Sequence, residues 1–291
     1  MSAAIQGLTG SVGACFSTTC TYPIDIVKTR IQAGETKGFL SVFFRIIKSE
    51  GLRGLFVGLS SQYIQTFLAN FVFFFFYSIF RKRAQRLLRK QASKQNQSKE
   101  KVEETGLPAS INLLVGILAA IAQVLLITPI NVSLTRIKTN SPPANRGSNS
   151  LLPVLVKIAG SEGLGRLYAG LGPSLVLTVN PGIEFMIMET LKDLYTSNVS
   201  VEEPASSVTF SISAIAKIGA TILTYPLILA KVRMQNSGET NLFYLVAKMF
   251  KNGGITAMYT GLQIQLIKAV LFTSIRNTAK EKLVKLLKQL S

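Results

Sequence analysis

Pro23-Ile24-Asp25-Ile26-Val27-Lys28-Thr29-Arg30 has two counterparts further along the chain. They are Pro129-Ile130-Asn131-Val132-Ser133-Leu134-Thr135-Arg136 and Pro226-Leu227-Ile228-Leu229-Ala230-Lys231-Val232-Arg233, spaced about a hundred residues apart. Each octet is followed by a second signature: Glu50-Gly51 leads to Phe56-Val57-Gly58, Glu162-Gly163 to Tyr168-Ala169-Gly170, and Gly253-Gly254 to Tyr259-Thr260-Gly261. In all three, four residues separate the glycine from the aromatic. Two linked patterns, in the same order and in triplicate, make internal repetition the organising feature of the chain.

The solvent of these repeats is read from composition. The chain has 291 residues, a formal net charge of +18, no His, no Trp and two Cys. Its mean hydropathy of +0.36 exceeds that of an ordinary soluble domain. The run from Ile111 to Ile130 is uncharged, interrupted only by Asn112, Gly116, Gln123, Thr128 and Pro129. As a helix it is long enough to cross a ~30 Å hydrocarbon core. The stretch from Phe67 to Phe80 is similar and rich in Phe. One such segment fits a buried core helix, but six in one chain do not. The chain reads as an all-α membrane protein.

Basic residues cluster at Arg81-Lys82-Arg83, Arg86, Arg89-Lys90, and again at Lys280, Lys282, Lys285 and Lys288. They abut hydrophobic helices and lack interleaved aromatics, so anionic headgroups of the lipid bilayer explain them better than nucleic acid does. A positive cavity for an anionic solute is a second contribution. The stretch 81–90 is also a candidate docking site for a membrane-protein targeting factor. Cys15 and Cys20 lie five apart on one predicted helix and imply no disulfide framework. The N-terminus has neither a basic n-region with a cleavage site nor an Arg-rich amphipathic form, so an internal targeting signal is expected. With no His, no metal-ligand cluster and no Gly-x4-Gly-Lys loop, neither an enzyme nor a resident cofactor or metal is expected.

Each repeat reads as two spanning helices joined by a short one. The repeats run over 1–90, 107–197 and 205–290, with a polar, solvated linker at 91–106. Odd helices are predicted over 3–32, 107–139 and 207–235, even ones over 59–90, 171–196 and 262–290. The segments 39–49, 152–161 and 242–251 carry apolar residues at three-to-four spacing, as interfacial amphipathic helices do. Glycine in the following pair should stop each of them. The stretch 141–148 and the segment 199–206 are looser punctuation. Three helix pairs, none closed by itself, should pack around a pseudo-threefold axis.

Pro23, Pro129 and Pro226 remove a backbone donor and are expected to kink or break the odd helices. An acid two after proline and a base five after it share a helix face. Converging at one end, Asp25, Asn131, Lys28 and Lys231 are expected to form a gate across the axis. The bland alternative is a set of interfacial charges near helix ends, but charges beside a membrane-embedded proline favour the gate.

These residues resemble the mitochondrial carrier family, whose motif Pro-x-(Asp/Glu)-x-x-(Lys/Arg) and later Gly-x4-aromatic-x-Gly occur three times here, in whole or in part. The resemblance covers essentially the whole chain. It implies a six-helix barrel with alternating access to one central site, termini on the cytosolic side, and the acid of each repeat facing the base of the next. By that rule Asp25 faces Leu134, Asn131 faces Lys231 and Ile228 faces Lys28, which predicts a weakly latched gate. Restoring the charges with Leu134→Arg and Ile228→Asp should then slow turnover.

Seven residues beyond Gly58, Gly170 and Gly261 stand Gln65, Leu177 and Lys268. Seven residues rise about 10 Å along a helix, placing all three near the bilayer middle. The resemblance makes these positions substrate contacts. Lys268 has no acidic neighbour in sequence, and a lone ammonium at that depth needs water or an anion. Lys217 is similarly isolated. Gln65, Asn70 and Thr178 offer neutral hydrogen bonds, while Leu177 and Ile183 offer a wall for a planar ring.

The stretches 70–77, 177–186 and 216–231 are similar to the peroxisomal adenine nucleotide carriers. That resemblance implies an antiporter of the peroxisomal membrane exchanging ATP for AMP or ADP, working as a monomer, with the mitochondrial inner membrane as the alternative location. Val57, Ala169 and Thr260 replace the family's basic residue before the last glycine, which argues against cardiolipin binding of the mitochondrial kind. Two alternatives stay open: a carrier of larger nucleotide cofactors (CoA, FAD or NAD), and a degenerate carrier barrel serving as a membrane scaffold.

Overall fold

The computed structural model describes residues 3–34, 38–94, 108–139, 150–199, 206–272 and 275, and these contain no strand. The first repeat folds as α1 (Ala3–Ala33), α2 (Phe39–Glu50) and α3 (Leu59–Lys94). The second folds as α4 (Ala109–Thr139), α5 (Leu151–Ser161), α6 (Leu171–Val176) and α7 (Asn180–Val199). The third folds as α8 (Ser206–Ser237), α9 (Leu242–Met258) and α10 (Leu262–Phe272). Lys280, Lys282, Lys285, Lys288, the segment 141–148 and most of the linker lie outside the described residues. The beginning of that linker is a correction, because α3 continues as helix to Lys94.

Among the described residues, four helical stretches are long and apolar enough to cross a membrane: Leu52–Leu88, Ile111–Thr139, Leu164–Ser197 and Ser211–Ser237. The pair α9 and α10, bent by 48°, makes a fifth if taken as one span. Helix α1, with 31 residues, has comparable length. The large side chains left exposed on these helices, among them Phe67, Phe71, Phe74, Leu113, Leu118 and Leu126, suit hydrocarbon rather than water.

Three small cores carry the packing, one per repeat. In the first, Tyr22, Ile26, Val27 and Ile31 of α1 meet Val42 and Ile46 of α2. In the second, Val132, Leu134 and Ile137 of α4 meet Leu151, Val154 and Ile158 of α5. In the third, Tyr225 and Leu229 of α8 meet Met249 of α9. Each short helix thus buries its apolar stripe against the last turns of its own odd helix. Gly51 and Gly163 end α2 and α5 with positive φ, as expected, but Gly253 and Gly254 only interrupt α9, which resumes to Met258.

The odd helices pass through Pro23, Pro129 and Pro226 without ending, so of the expected kink or break the break does not occur. The break falls instead in the second even helix, predicted as one element. Pro181 has no N–H to give the Leu177 carbonyl four residues back, and the Asn180 N–H takes that carbonyl instead. The result is a 3-10 turn over Leu177–Val179 between α6 and α7.

The repeats are knit together where each second-signature glycine touches the next repeat. Gly58 has φ 77°, and a Cβ there would lie 2.7 Å from Ile137 Cγ2. Gly170, with φ 80°, would meet the Lys231 carbonyl oxygen at 3.1 Å. At the barrel's seam, Ser17 of α1 donates to the Phe272 carbonyl of α10 at 2.6 Å, joining the first and last spans. Gly58→Ala combines a left-handed backbone with overpacking and should cost about 2 kcal/mol or more. Gly116→Ala, with open space around the glycine, should not lower stability. Thermal unfolding of the two variants in detergent checks the contrast.

Candidate functional site

The C-terminal ends of α1, α4 and α8 converge, and their last carbonyls lack intrahelical partners. Arginines supply the donors in a closed circuit. Arg30 Nε donates to the Lys138 carbonyl at 3.0 Å, Arg136 Nε to the Gln235 carbonyl at 3.3 Å, and Arg233 Nε to the Gln32 carbonyl at 3.2 Å. Each repeat therefore caps the helix of the next. In two repeats the same guanidinium also grips its own glutamate with both terminal nitrogens. Arg30 holds Glu50 at 2.6 and 2.8 Å, and Arg136 holds Glu162 in the same bidentate manner. That hold keeps the Glu162 carboxyl below the usual glutamate range.

A second layer involves tyrosines just before the prolines. Tyr22 donates to the Val57 carbonyl at 2.9 Å and Tyr225 to the Thr260 carbonyl at 2.8 Å. Gln32 donates to Tyr225 at 3.0 Å, and Lys138 lies 5.4 Å from the Tyr22 ring centroid. The second repeat has Thr128 at the tyrosine position, and its hydroxyl turns back to the Val124 carbonyl. Gln235 reaches Thr135 at 2.9 Å instead, which leaves its Nε2 buried without an acceptor.

Inside this ring sits Asp25, 6% exposed. Lys28 approaches its carboxylate at 3.0 Å, Lys138 at 2.5 Å, and Lys268 of α10 at hydrogen-bonding distance. All three repeats thus contribute an ammonium to one carboxylate, leaving positive charge in excess. Lys138 also donates to Gln62 at 2.6 Å; Gln62 donates to Gln65 at 3.0 Å, and Gln65 to Asn131 at 3.0 Å. A continuous polar chain therefore runs from Asp25 to Asn131 across α1, α4 and α3.

Several expectations are corrected by this geometry. Leu134 does not face Asp25; it is 6% exposed within the apolar core of the second repeat. The base lost at 134 reappears at Lys138, one helical turn later on the same face. Asn131 turns to Gln65 rather than to Lys231. Lys231 is half-buried, and no hydrogen bond or ion pair ties its ammonium among the described residues. Lys28 finds Asp25 of its own helix, not Ile228.

The candidate substrate residues divide similarly. Lys268 is not free, since Asp25 shares it, although it is the most exposed of the three lysines with 26% of its side chain accessible. Lys217 is not isolated either, because Glu184 pairs with it at 2.6 Å. Eleven residues separate Lys217 from Ile228, the counterpart of Asp25, or about 16 Å along α8. The two cations therefore lie at different depths. Gln65 joins the Asp25 chain, whereas Asn70, five residues on, is turned about 140° around α3 and bonds to none of the chain. Leu177 and Thr178 lie in the 3-10 turn, Thr178 donating to the Leu175 carbonyl at 2.7 Å, and Ile183 is half-buried on α7. Sequence reading missed Lys138 and Gln62. One turn's spacing from Leu134 and from Gln65 was the available signal.

A ring of spanning helices latched at one end around a cluster of lysines defines a membrane carrier. Comparison with known proteins agrees. The family model for mitochondrial carrier protein matches residues 1–87, 106–199 and 203–291, and the chain belongs to that family. It is a transporter, not an enzyme. The chain is 33% identical over 270 residues to "Peroxisomal adenine nucleotide transporter 1" of Eremothecium gossypii, covering 89% of this chain and 76% of that protein. It is 27% identical over 327 residues to the "Peroxisomal nicotinamide adenine dinucleotide carrier" of Arabidopsis thaliana, covering 97% and 96%. "Peroxisomal membrane protein PMP34" of Mus musculus is 29% identical over 303 residues, covering 96% and 92%.

The position of Leu134 reverses the simplest repair of the motif. Leu134→Arg buries a charge in an apolar core and should destabilise the protein by more than about 3 kcal/mol. Lys138→Leu, by contrast, removes the latch partner and should speed exchange in liposomes. Detergent melting curves and exchange rates on both variants separate the two effects.

Proposed function

We propose that the protein is an antiporter of the peroxisomal membrane that exchanges adenine nucleotides, ATP on one side for AMP or ADP on the other, by alternating access. The observation that carries this reading is the cluster of Lys28, Lys138 and Lys268 around Asp25. Its excess positive charge suits a polyphosphate, and the named activities of several relatives support an adenine nucleotide.

The geometry supplies a coupling. Lys268 comes from an even helix at the expected contact level, yet it holds the carboxylate of the latch. A phosphate group arriving on Lys268 competes with Asp25 for that ammonium. Loading then withdraws one of three cations from Asp25 and loosens the tie between α1 and α10. Lys138 stays with Gln62 and Asp25 until the odd helices part. In this reading Gln65 stands beside the phosphates, Leu177, Thr178 and Ile183 line the level of the base, and Lys217 with Glu184 lies further toward the unlatched end. Asn70 contributes at most from the flank of α3. Gly58, Gly170 and Gly261, in contact with their neighbouring repeats, act as the points on which the repeats turn.

A second reading, transport of a dinucleotide such as NAD, is favoured by the name of the Arabidopsis relative. Both solutes present phosphates to the same lysines, and they differ in the second nucleoside. Purified protein in liposomes preloaded with AMP should take up labelled ATP faster than labelled NAD. Lys268→Gln should lower ATP uptake at least about tenfold, the loss expected for one charge-assisted phosphate contact, while Tm stays within a few degrees of the parent. Full ATP exchange by this variant would remove Lys268 from the site. Faster uptake of NAD would favour the second reading.

A further inference from the structure

The three arginines of the ring are not equally served. Arg30 and Arg136 each use Nε to cap the next helix and both terminal nitrogens to hold a glutamate. Arg233 makes the same Nε bond, to the Gln32 carbonyl at 3.2 Å, so its guanidinium is anchored as in the other two repeats. The residue at the glutamate's place, however, is Gly253. Arg233 is half-buried, and its terminal nitrogens have no acceptor among the described residues. Glu239, the nearest acid in sequence after α8, accepts from the N–H groups of Thr240 and Asn241 through Oε1 and makes no ion pair with Arg233. Lys251, exposed two residues before Gly253, adds positive charge to this corner.

We propose that Arg233 and the Gly253-Gly254 turn form an oxyanion site at the latched end of the barrel. The site takes a phosphate group, free or on a lipid headgroup, in the place that Glu50 and Glu162 fill in the other repeats. Two copies of the same unit within this chain show what the anchored guanidinium binds: a planar pair of oxygens, which a carboxylate or phosphate presents equally well. A bound phosphate ties α8 to α9 as Glu50 ties α1 to α2. The third corner of the latch then tightens with anion concentration, whereas the other two are permanently tied. The site shares no residue with the Asp25 cluster and is independent of which solute the barrel carries.

The test uses full-length protein with Lys268→Gln as the background, so that phosphate affinity of the barrel interior is reduced beforehand. In detergent, inorganic phosphate titrated against chloride at constant ionic strength should raise Tm saturably, by several degrees. Arg233→Gln should abolish the response. Gly253→Glu combined with Ala257→Gly copies Glu50 and Gly54 of the first repeat and relieves the 2.9 Å approach of a Cβ at 253 to Ala257 Cβ. This variant should start with the higher Tm and no longer respond to phosphate. Nanodiscs distinguish the sources: if the anion is a headgroup, anionic phospholipid raises Tm over zwitterionic lipid and removes the phosphate response. If it is free phosphate, the response is equal in both. A background protein that responds to neither phosphate nor anionic lipid overturns the proposal, and so does an unchanged response in the Gly253→Glu, Ala257→Gly variant.

Discussion

Three helix C-termini meeting at one end of the barrel present carbonyl groups that their own helices cannot satisfy, and the arginine circuit answers that constraint. Arg30, Arg136 and Arg233 each reach across to the neighbouring helix end, so no repeat completes its own odd helix. This explains why the arginine is present in all three octets while the acid and base ahead of it vary. A missing arginine leaves a carbonyl of another repeat orphaned. A missing acid or base only shifts a charge, which a neighbour one turn away can replace.

The latch shows such a replacement. With Leu134 committed to the apolar core, Lys138 takes over as the partner of Asp25 and brings Gln62, Gln65 and Asn131 into one hydrogen-bonded chain. Asp25 becomes the hub on which the barrel's asymmetry rests. A buried carboxylate shared by three ammonium groups couples them, because a change at any one partner alters the electrostatic balance for the others. Lys268 belongs both to that set and to the level at which the even helices face the interior. In the proposed reading, gate and binding level therefore form one electrostatic unit, not two layers.

The helices were legible along the chain because their causes are local. Apolar spacing set α2 and α5, glycine with positive φ ended them, and the odd helices followed from uncharged runs of sufficient length. The break at Leu177–Val179 was equally local, since Pro181 withholds the donor its helix needs, but the apolar run around it read as unbroken. Proline in the odd helices carried the opposite lesson: packing against neighbours keeps those helices intact through a missing hydrogen bond. The site was less legible. Asp25, Lys28 and Lys268 could be singled out by charge within apolar helices, but the contact of Asp25 with Lys268 joins residues 243 positions apart. Likewise, Lys217 looked solitary only because Glu184 sits 33 positions away on another helix.

By itself the sequence determined the threefold repetition, the membrane as solvent and the order of the helices along the described chain. All of these follow from periodicity and composition along a single strand of chain. Only the tertiary structure decided who neutralises whom, placing Leu134 in a core, Lys138 and Lys268 on Asp25, and Asn131 on Gln65. The reason is physical. Charge pairing depends on which helix faces meet across the barrel, and a rotation of one turn's spacing exchanges partners without altering any local pattern.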